Sequence, residues 1–438
     1  MPAAGRAPAH RFHRVLTAVV LFTRDLRVHD NPALAAAARE ADRVVPLFVR
    51  DERLLSASAR RAALLEEALA DLDASLRRLG AALVVRQGDA VAETVRVAAE
   101  TGAEAVFCAE DVSAYAQTRE RQLAEAVDLR THPGITVVPP GLLRPADRDC
   151  YVVFTPYHRA WAAASWRTPE EPPPRLRLPD GLEPGTPAGA GGGGESAART
   201  RLEEWLAGGD AQYAERSDDL AADATSRLSI PLHLGLLSPL EVARRSRSAP
   251  LVRQLAWRDF FAQLHAAKPW TARRDLHEGA RRWREDAHGL AAWKEGLTGY
   301  PVVDAGMRQL AATGWMHNRA RLVTASFLTK DLGVDWREGA RHFSELLLDG
   351  DVASNTGNWQ WVAGTGADTR PGRIFNPTLQ GKRFDPSGEY VRRWVPELEA
   401  VPGGSIHEPW KLGALPTGAY PAPVVDHAEA AGRFRAGR

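Results

Sequence analysis

The chain has 438 residues, too many for one ordinary core, so two domains are expected. With 44% hydrophobic and 25% charged residues, a net charge of +1 and no bilayer-length apolar run, it excludes a membrane-spanning protein and a general polyanion binder. The only cysteines, Cys108 and Cys150, have no metal-type spacing, which excludes a structural zinc site and suits a reducing cytoplasm.

Residues 1–14 (MPAAGRAPAHRFHR) are basic but lack the apolar core of a secretory signal, and are expected to be a disordered extension. Over 15–140, apolar runs alternate with alanine- and leucine-rich helical stretches. The runs 15–22, 44–49, 82–86, 105–108 and 135–138 predict five buried strands, and Asn31-Pro32 predicts a capped helix start. Such alternation predicts an α/β domain with a doubly wound parallel five-stranded sheet, and ligands in such sheets sit at the carboxyl ends of the strands. Segments 48–53 and 107–115, which follow strands, are the candidates there.

Residues 141–200 read as an interdomain linker, because 165–200 is crowded with prolines and a glycine run. From 201 to 438 the strand signal vanishes. Helical periodicity over 238–247, 251–267, 301–313, 319–330 and 336–348 predicts an all-helical second domain. There is no internal repeat.

The run from Thr298 to Trp361 concentrates polar groups inside an apolar helical pattern: His317-Asn318-Arg319, Arg321, Asp349-Gly350-Asp351 and Asn355, punctuated by tryptophans. Such groups are costly to bury unless paired, and a large polar cofactor is one way to pair them. Thr225-Ser226-Arg227-Leu228-Ser229 offers small donors suited to a diphosphate, although a helix cap fits the same residues. The arginine clusters 244-245-247, 273-274, 281-282-284 and 392-393 fit solvated helix faces as well as a local nucleic-acid patch.

With LFTRDLRVHDNPAL (21–34), VFTPYHRAW (153–161), DATSRLS (223–229), QLAWRDFF (254–261), RIFNPTLQGKRFD (373–385) and IHEPWK (406–411), that run resembles the DNA photolyase/cryptochrome family. The likeness extends from Val15 to about Pro423 and is greatest to the class I enzymes of actinobacteria that repair cyclobutane pyrimidine dimers. It implies an α/β antenna domain, a helical domain binding FAD in its reduced, anionic form, and a carbon–carbon lyase acting on UV-damaged DNA. A cryptochrome-type photoreceptor without repair, or a (6-4) photolyase, is the alternative. The antenna implied is 8-hydroxy-5-deazaflavin, with a folate second. A cytoplasmic monomer with no metal and no protein partner is the family expectation.

Residue by residue, the resemblance places Tyr213, Thr225, Ser226, Arg227, Leu228 and Ser229 at the flavin diphosphate. It puts Arg321 and Asp349 at the isoalloxazine ring, Gly350 and Asp351 beside them, and the amides of Asn318 and Asn355 near the flavin, Asn355 close to N5. Asn355 leans the reading toward repair, because an amide can donate to an anionic ring yet has no proton to give up readily. Trp283, Trp336 and Trp359 match the electron-transfer triad that photoreduces the flavin. Trp257 and Trp361 match the aromatic walls of the lesion pocket, where a flipped-out dinucleotide regains stacking. Arg258 and Arg319 match residues at the DNA backbone, while Gln254, Arg258 and Asn318 border both cofactor and substrate. Three positions depart from many members: Gln254 replaces a glutamate, Leu322 a methionine, and Ser217, beside Arg216, an arginine. Glutamine can still donate to a thymine carbonyl, and leucine fills a similar volume with less pliability.

Overall fold

The computed structural model describes residues 15–436 apart from 56–57, 186, 188, 190–191, 278–281, 368–369, 371 and 414–419. The expected extension 1–14 and Arg281 lie outside the described residues.

Five strands, β1 (Val15–Phe22), β2 (Ala41–Arg50), β3 (Val84–Gln87), β4 (Ala105–Ala109) and β5 (Leu129–His132), form one parallel sheet in the order β3-β2-β1-β4-β5. Central β1 is buried on both faces except at Leu16, which is why its sequence reads as an unbroken apolar run. Helices Pro32–Glu40, Ala59–Arg78, Ala90–Thr101 and Ala114–Ala126 make the crossovers. Each starts at a polar N-cap, Asn31, Ser58, Asp89 and Ser113 respectively, whose side chain accepts a backbone N–H.

The fifth strand differs from expectation. Residues 135–138 are buried but unpaired in the sheet, and the strand is the more polar Leu129–His132 at the edge. The apolar signal of 135–138 has another origin. Val137 and Val138 donate their N–H groups to the Asp259 carboxylate, at 2.9 and 3.0 Å, as the segment packs on the helical half.

The segment read as a linker contains the helix Phe154–Ala163, whose buried Trp161 also donates to Asp259. Its proline-rich stretch is tied down: Val44 donates to the Arg177 carbonyl, Leu176 to that of Leu79, and Arg167 and Glu170 bind the Asp30 carboxylate. Prolines here remove donors but leave carbonyls that the sheet's periphery uses.

The second half is helical, as periodicity implies. Its Pro301–Thr313 helix coincides with the predicted span, and Ala249–Ala267, Trp336–Leu346 and Val352–Ala363 frame the site. A π-turn at Trp205–Gly209 interrupts one longer helix, and a second, Phe327–Asp331, ends the helix that starts at Asn318. No helix among the described residues is long and apolar enough to cross a membrane.

The halves meet where the strand order reverses, between the carboxyl ends of β1 and β4, the crevice such folds offer to ligands. Here it receives protein. Arg24, after β1, binds Asp111, after β4, and its Nε donates to the His233 carbonyl. Fully buried Arg27 donates to the carbonyls of His29, Asp30, Gly134 and Gly235. Gly235 sits at φ +69°, and a Cβ there would lie 1.9 Å from the Arg24 carbonyl oxygen, so only glycine allows this approach.

Candidate functional site

A cavity of about 550 Å³ opens in the helical half, within the size range of cofactor pockets. Tyr213 reaches it from the helix Asp210–Arg216, just past the π-turn, where Trp205 packs edge-on against its ring at 6.0 Å. Burial pushes the Tyr213 phenol up to about 12. Thr225, Ser226, Arg227, Leu228 and Ser229 form the adjoining wall. Arg201 fixes this loop by donating to the Ser226 carbonyl at 2.8 Å, while the Arg227 guanidinium pairs with Asp223 and lies 4.4 Å over Trp315.

The helix Ala249–Ala267 contributes Gln254, Trp257 and Arg258, one turn apart on one face. Asn318, Arg319, Arg321 and Leu322 come from the helix Asn318–Ser326, which His317 caps by accepting the Arg319 N–H at Nδ1 (3.1 Å). Arg321 donates to the Met316 carbonyl and to Asp349, each at 2.8 Å. Asp351 caps the helix Val352–Ala363 by accepting the Ser354 N–H at 2.7 Å and takes Arg24 at 2.5 Å. On that helix Ser354, Asn358 and Trp361 face the large cavity, at i, i+4 and i+7. Asn355 and Trp359 line an adjoining void of about 90 Å³, which shares Asn318, Arg321, Leu322, Asp349, Ser354 and Asn358 with the large one.

Electrostatics concentrate on two aspartates. Burial pushes both carboxyls up, but neighbouring cations outweigh it: Arg321 holds Asp349 below the usual range, and Arg24 with Arg258 does so for Asp351. Burial and the charge of Arg24 lower His233, in the cavity wall, to about 4. Asp349 Oδ1 and Thr225 Oγ1 are buried with no hydrogen-bond partner among the described residues. Unmet polar atoms in the wall of a large cavity fit a ligand with many donors and acceptors, such as a flavin dinucleotide.

Other expected residues are engaged by the protein itself or stand apart from the large cavity. Gly350 faces the first domain, where a Cβ would lie 3.0 Å from Arg61 Nη1. The Arg258 guanidinium donates to the carbonyls of Ile135 and Leu232, so it clasps the two halves and borders the cavity rather than being held out for DNA. Arg319 is at the cavity but bound to Asp218 at 2.6 Å and stacked 4.2 Å from Phe384. Trp336 is fully buried behind the cavity and donates to Asp275 at 2.8 Å, and Trp283 packs, half-buried, on the same core. Trp359 packs against Gly339, one turn beyond Trp336, and edge-on to Trp293 (6.0 Å) and Phe343 (4.9 Å).

Sequence reasoning missed Arg24, His233, Ser354, Asn358 and Phe154. The 351, 354, 358, 361 spacing could have revealed two of these. Phe154 lies flat on Trp257, centroids 3.6 Å apart and planes 4° from parallel.

The FAD binding domain of DNA photolyase is the family matched by residues 251–437, and the DNA photolyase domain by residues 18–176. The chain belongs to the DNA photolyase/cryptochrome family. A deoxyribodipyrimidine photo-lyase of Streptomyces griseus is 52% identical, over 96% of this chain and 99% of that protein. Among solved structures, a bacterial class III photolyase from Agrobacterium tumefaciens is similar with a TM-score of 0.88 and 34% identity, covering 96% of this chain and 97% of its own. An archaeal photolyase from Sulfolobus tokodaii, solved with two FAD molecules, gives 0.86 and 30%, covering 96% and 99%. Membership of this family assigns FAD to the helical half, as the sequence resemblance implied.

Proposed function

We propose that this chain repairs cyclobutane pyrimidine dimers in UV-damaged DNA under light. The observation that carries this reading is the joining, in one cavity, of a flavin-type polar wall with the two half-buried indoles Trp257 and Trp361. When bound, reduced FAD supplies the electron that, on excitation, splits the dimer and is then returned.

The residues do the rest. Tyr213 and Thr225–Ser229 would hold the diphosphate, with the Thr225 hydroxyl, unpartnered among the described residues, as one donor. Arg321 and Asp349 clasp the ring, Arg24 steadies Asp351 beside it, and Gln254, Asn318 and Arg258 border it. Asn355 is oriented by donating to the Ala340 carbonyl at 2.9 Å, and its amide presents no proton that would neutralise an anionic ring. The extruded bases stack on Trp257 and Trp361, Gln254 donates to a thymine carbonyl, and Leu322 closes the apolar floor. Arg319 exchanges Asp218 for a DNA phosphate at the mouth. Trp359, Trp336 and Trp283 carry electrons inward to recharge oxidised cofactor.

For the antenna we favour 8-hydroxy-5-deazaflavin over a folate. The candidate segments after β2 and β4 meet where the Tyr115 hydroxyl donates to Asp51 at 2.8 Å, so one chromophore could touch both. A monomer acting on cytoplasmic DNA completes the reading.

The test is loss of thymine dimers from an irradiated oligonucleotide under blue light against a dark control, with a (6-4) substrate in parallel. Repair of the (6-4) lesion alone, or of neither, overturns the proposal. An absorption spectrum of purified protein reads FAD and any antenna directly.

A further inference from the structure

The VFTPYHRAW segment is not explained by cofactor binding, and its first aromatic stands behind the proposed lesion wall. Phe154 opens the helix Phe154–Ala163 and is 4% exposed. Its ring covers one face of Trp257 at 3.6 Å and 4°, while Phe260 meets that indole edge-on at 5.6 Å and 87°. The Arg253 guanidinium lies over the Phe154 ring, 4.8 Å from its centroid, and Arg253 Nη1 is 3.4 Å from His158 Nδ1.

A near-eclipsed sandwich is not the arrangement two aromatic rings adopt by preference, because their electron-rich faces repel. A cation over the Phe154 ring draws on its π-density and relieves that repulsion. The stack Arg253–Phe154–Trp257 is therefore a consistent unit. Phe154 takes one face of the indole and Phe261 packs tilted against it at 5.6 Å and 32°, while Trp257 still lines the cavity and Phe154 does not.

We infer that Phe154, backed by Arg253, is a positioning residue for lesion recognition: it fixes the plane of Trp257 before DNA arrives. A dimer then stacks on a ring already ordered, so binding carries no cost for immobilising it. This rests on Trp257 being the lesion wall, and the experiment separates the two ideas.

Phe154→Leu keeps apolar bulk but removes the flat face. It should weaken binding of a dimer-containing oligonucleotide about tenfold, while undamaged-duplex affinity and FAD content stay as in the parent. In a Trp257→Ala background the same change should cost nothing further, because the ring it orders is gone. If Trp257→Ala itself retains dimer affinity, the lesion-wall reading fails. If Trp257→Ala loses affinity and Phe154→Leu does not, or loses it equally for undamaged DNA, the positioning role fails alone. Should Phe154→Leu not fold, Arg253→Gln at the exposed end of the stack replaces it, with a two- to threefold selective loss expected and none overturning the inference.

Discussion

Arg24 of the α/β half and Asp351 of the cavity wall form an ion pair of 2.5 Å, and the same guanidinium reaches Asp111 at 3.2 Å. A carboxylate placed by sequence at the cofactor thus depends on a cation more than three hundred residues away, at the sheet's switch point.

Arg24→Gln should therefore act on both halves. Removing one partner of a buried pair leaves Asp351 with Arg258 as its main remaining cation among the described residues, and the expected loss is about 3–5 kcal/mol of unfolding free energy with faster FAD release. Urea unfolding and flavin fluorescence measure these. Because Asp351 is held below the ordinary carboxylate range, its contribution is present above the unfolded value and lost only as pH falls through the lower folded one. The difference between variant and parent should be flat from pH 7 to 8 and narrow below about 6.5, where His233, relieved of the Arg24 charge, takes its proton at less cost.

His317 predicts an acid limb. It is 1% exposed, and burial lowers its imidazole to about 4. Above pH 6.5 both folded and unfolded forms are neutral. Below it the unfolded chain takes the proton first, so stability drains away down to about pH 4. His317→Asn retains an acceptor for the Arg319 N–H and removes the titration. The variant should gain on the parent by up to about 3 kcal/mol between pH 7 and 4, read from unfolding midpoints at each pH.

Trp257→Ala should lower affinity for dimer-containing DNA by about 1–3 kcal/mol, the worth of one base stacked on an aromatic ring, and leave FAD bound. Fluorescence anisotropy against damaged and undamaged duplexes checks it. Loss of FAD instead would show that the indole belongs to the cofactor.

Trp359→Phe should block photoreduction of the oxidised flavin, followed by bleaching of its visible band, and spare dimer repair by enzyme reduced chemically beforehand. The ring replaced packs among Trp293 and Phe343, so a phenyl group keeps most of the contact and midpoint stability should fall by less than about 1.5 kcal/mol. Equal loss of both reactions would falsify the accessory role.

Regular elements were legible because periodicity reports burial: Pro301–Thr313 and β1 were read to the residue. Residues 135–138 show the limit of that signal, since packing against a neighbouring half looks like packing in a sheet. The residues expected at the flavin came from resemblance, and the structure gathers most of them around one cavity. Arg24, Phe154 and the turn of Arg258 toward Ile135 were not, because each acts across a long sequence separation where local pattern carries no information. Asp218, which pairs with Arg319, likewise reads in sequence as one more surface acid.

Arg27 bears on how such a chain can be inherited. Its guanidinium is sealed among four carbonyls, three from its own half and one, Gly235, from the other. Splitting the gene between the halves would leave a permanent cation facing an unfilled seat in one product and an exposed, glycine-shaped notch in the second. The halves are therefore not interchangeable cassettes. Recombination that swaps one must carry over the matching seam of the other, and chimeras joined without it should fail at assembly before chemistry is ever tested.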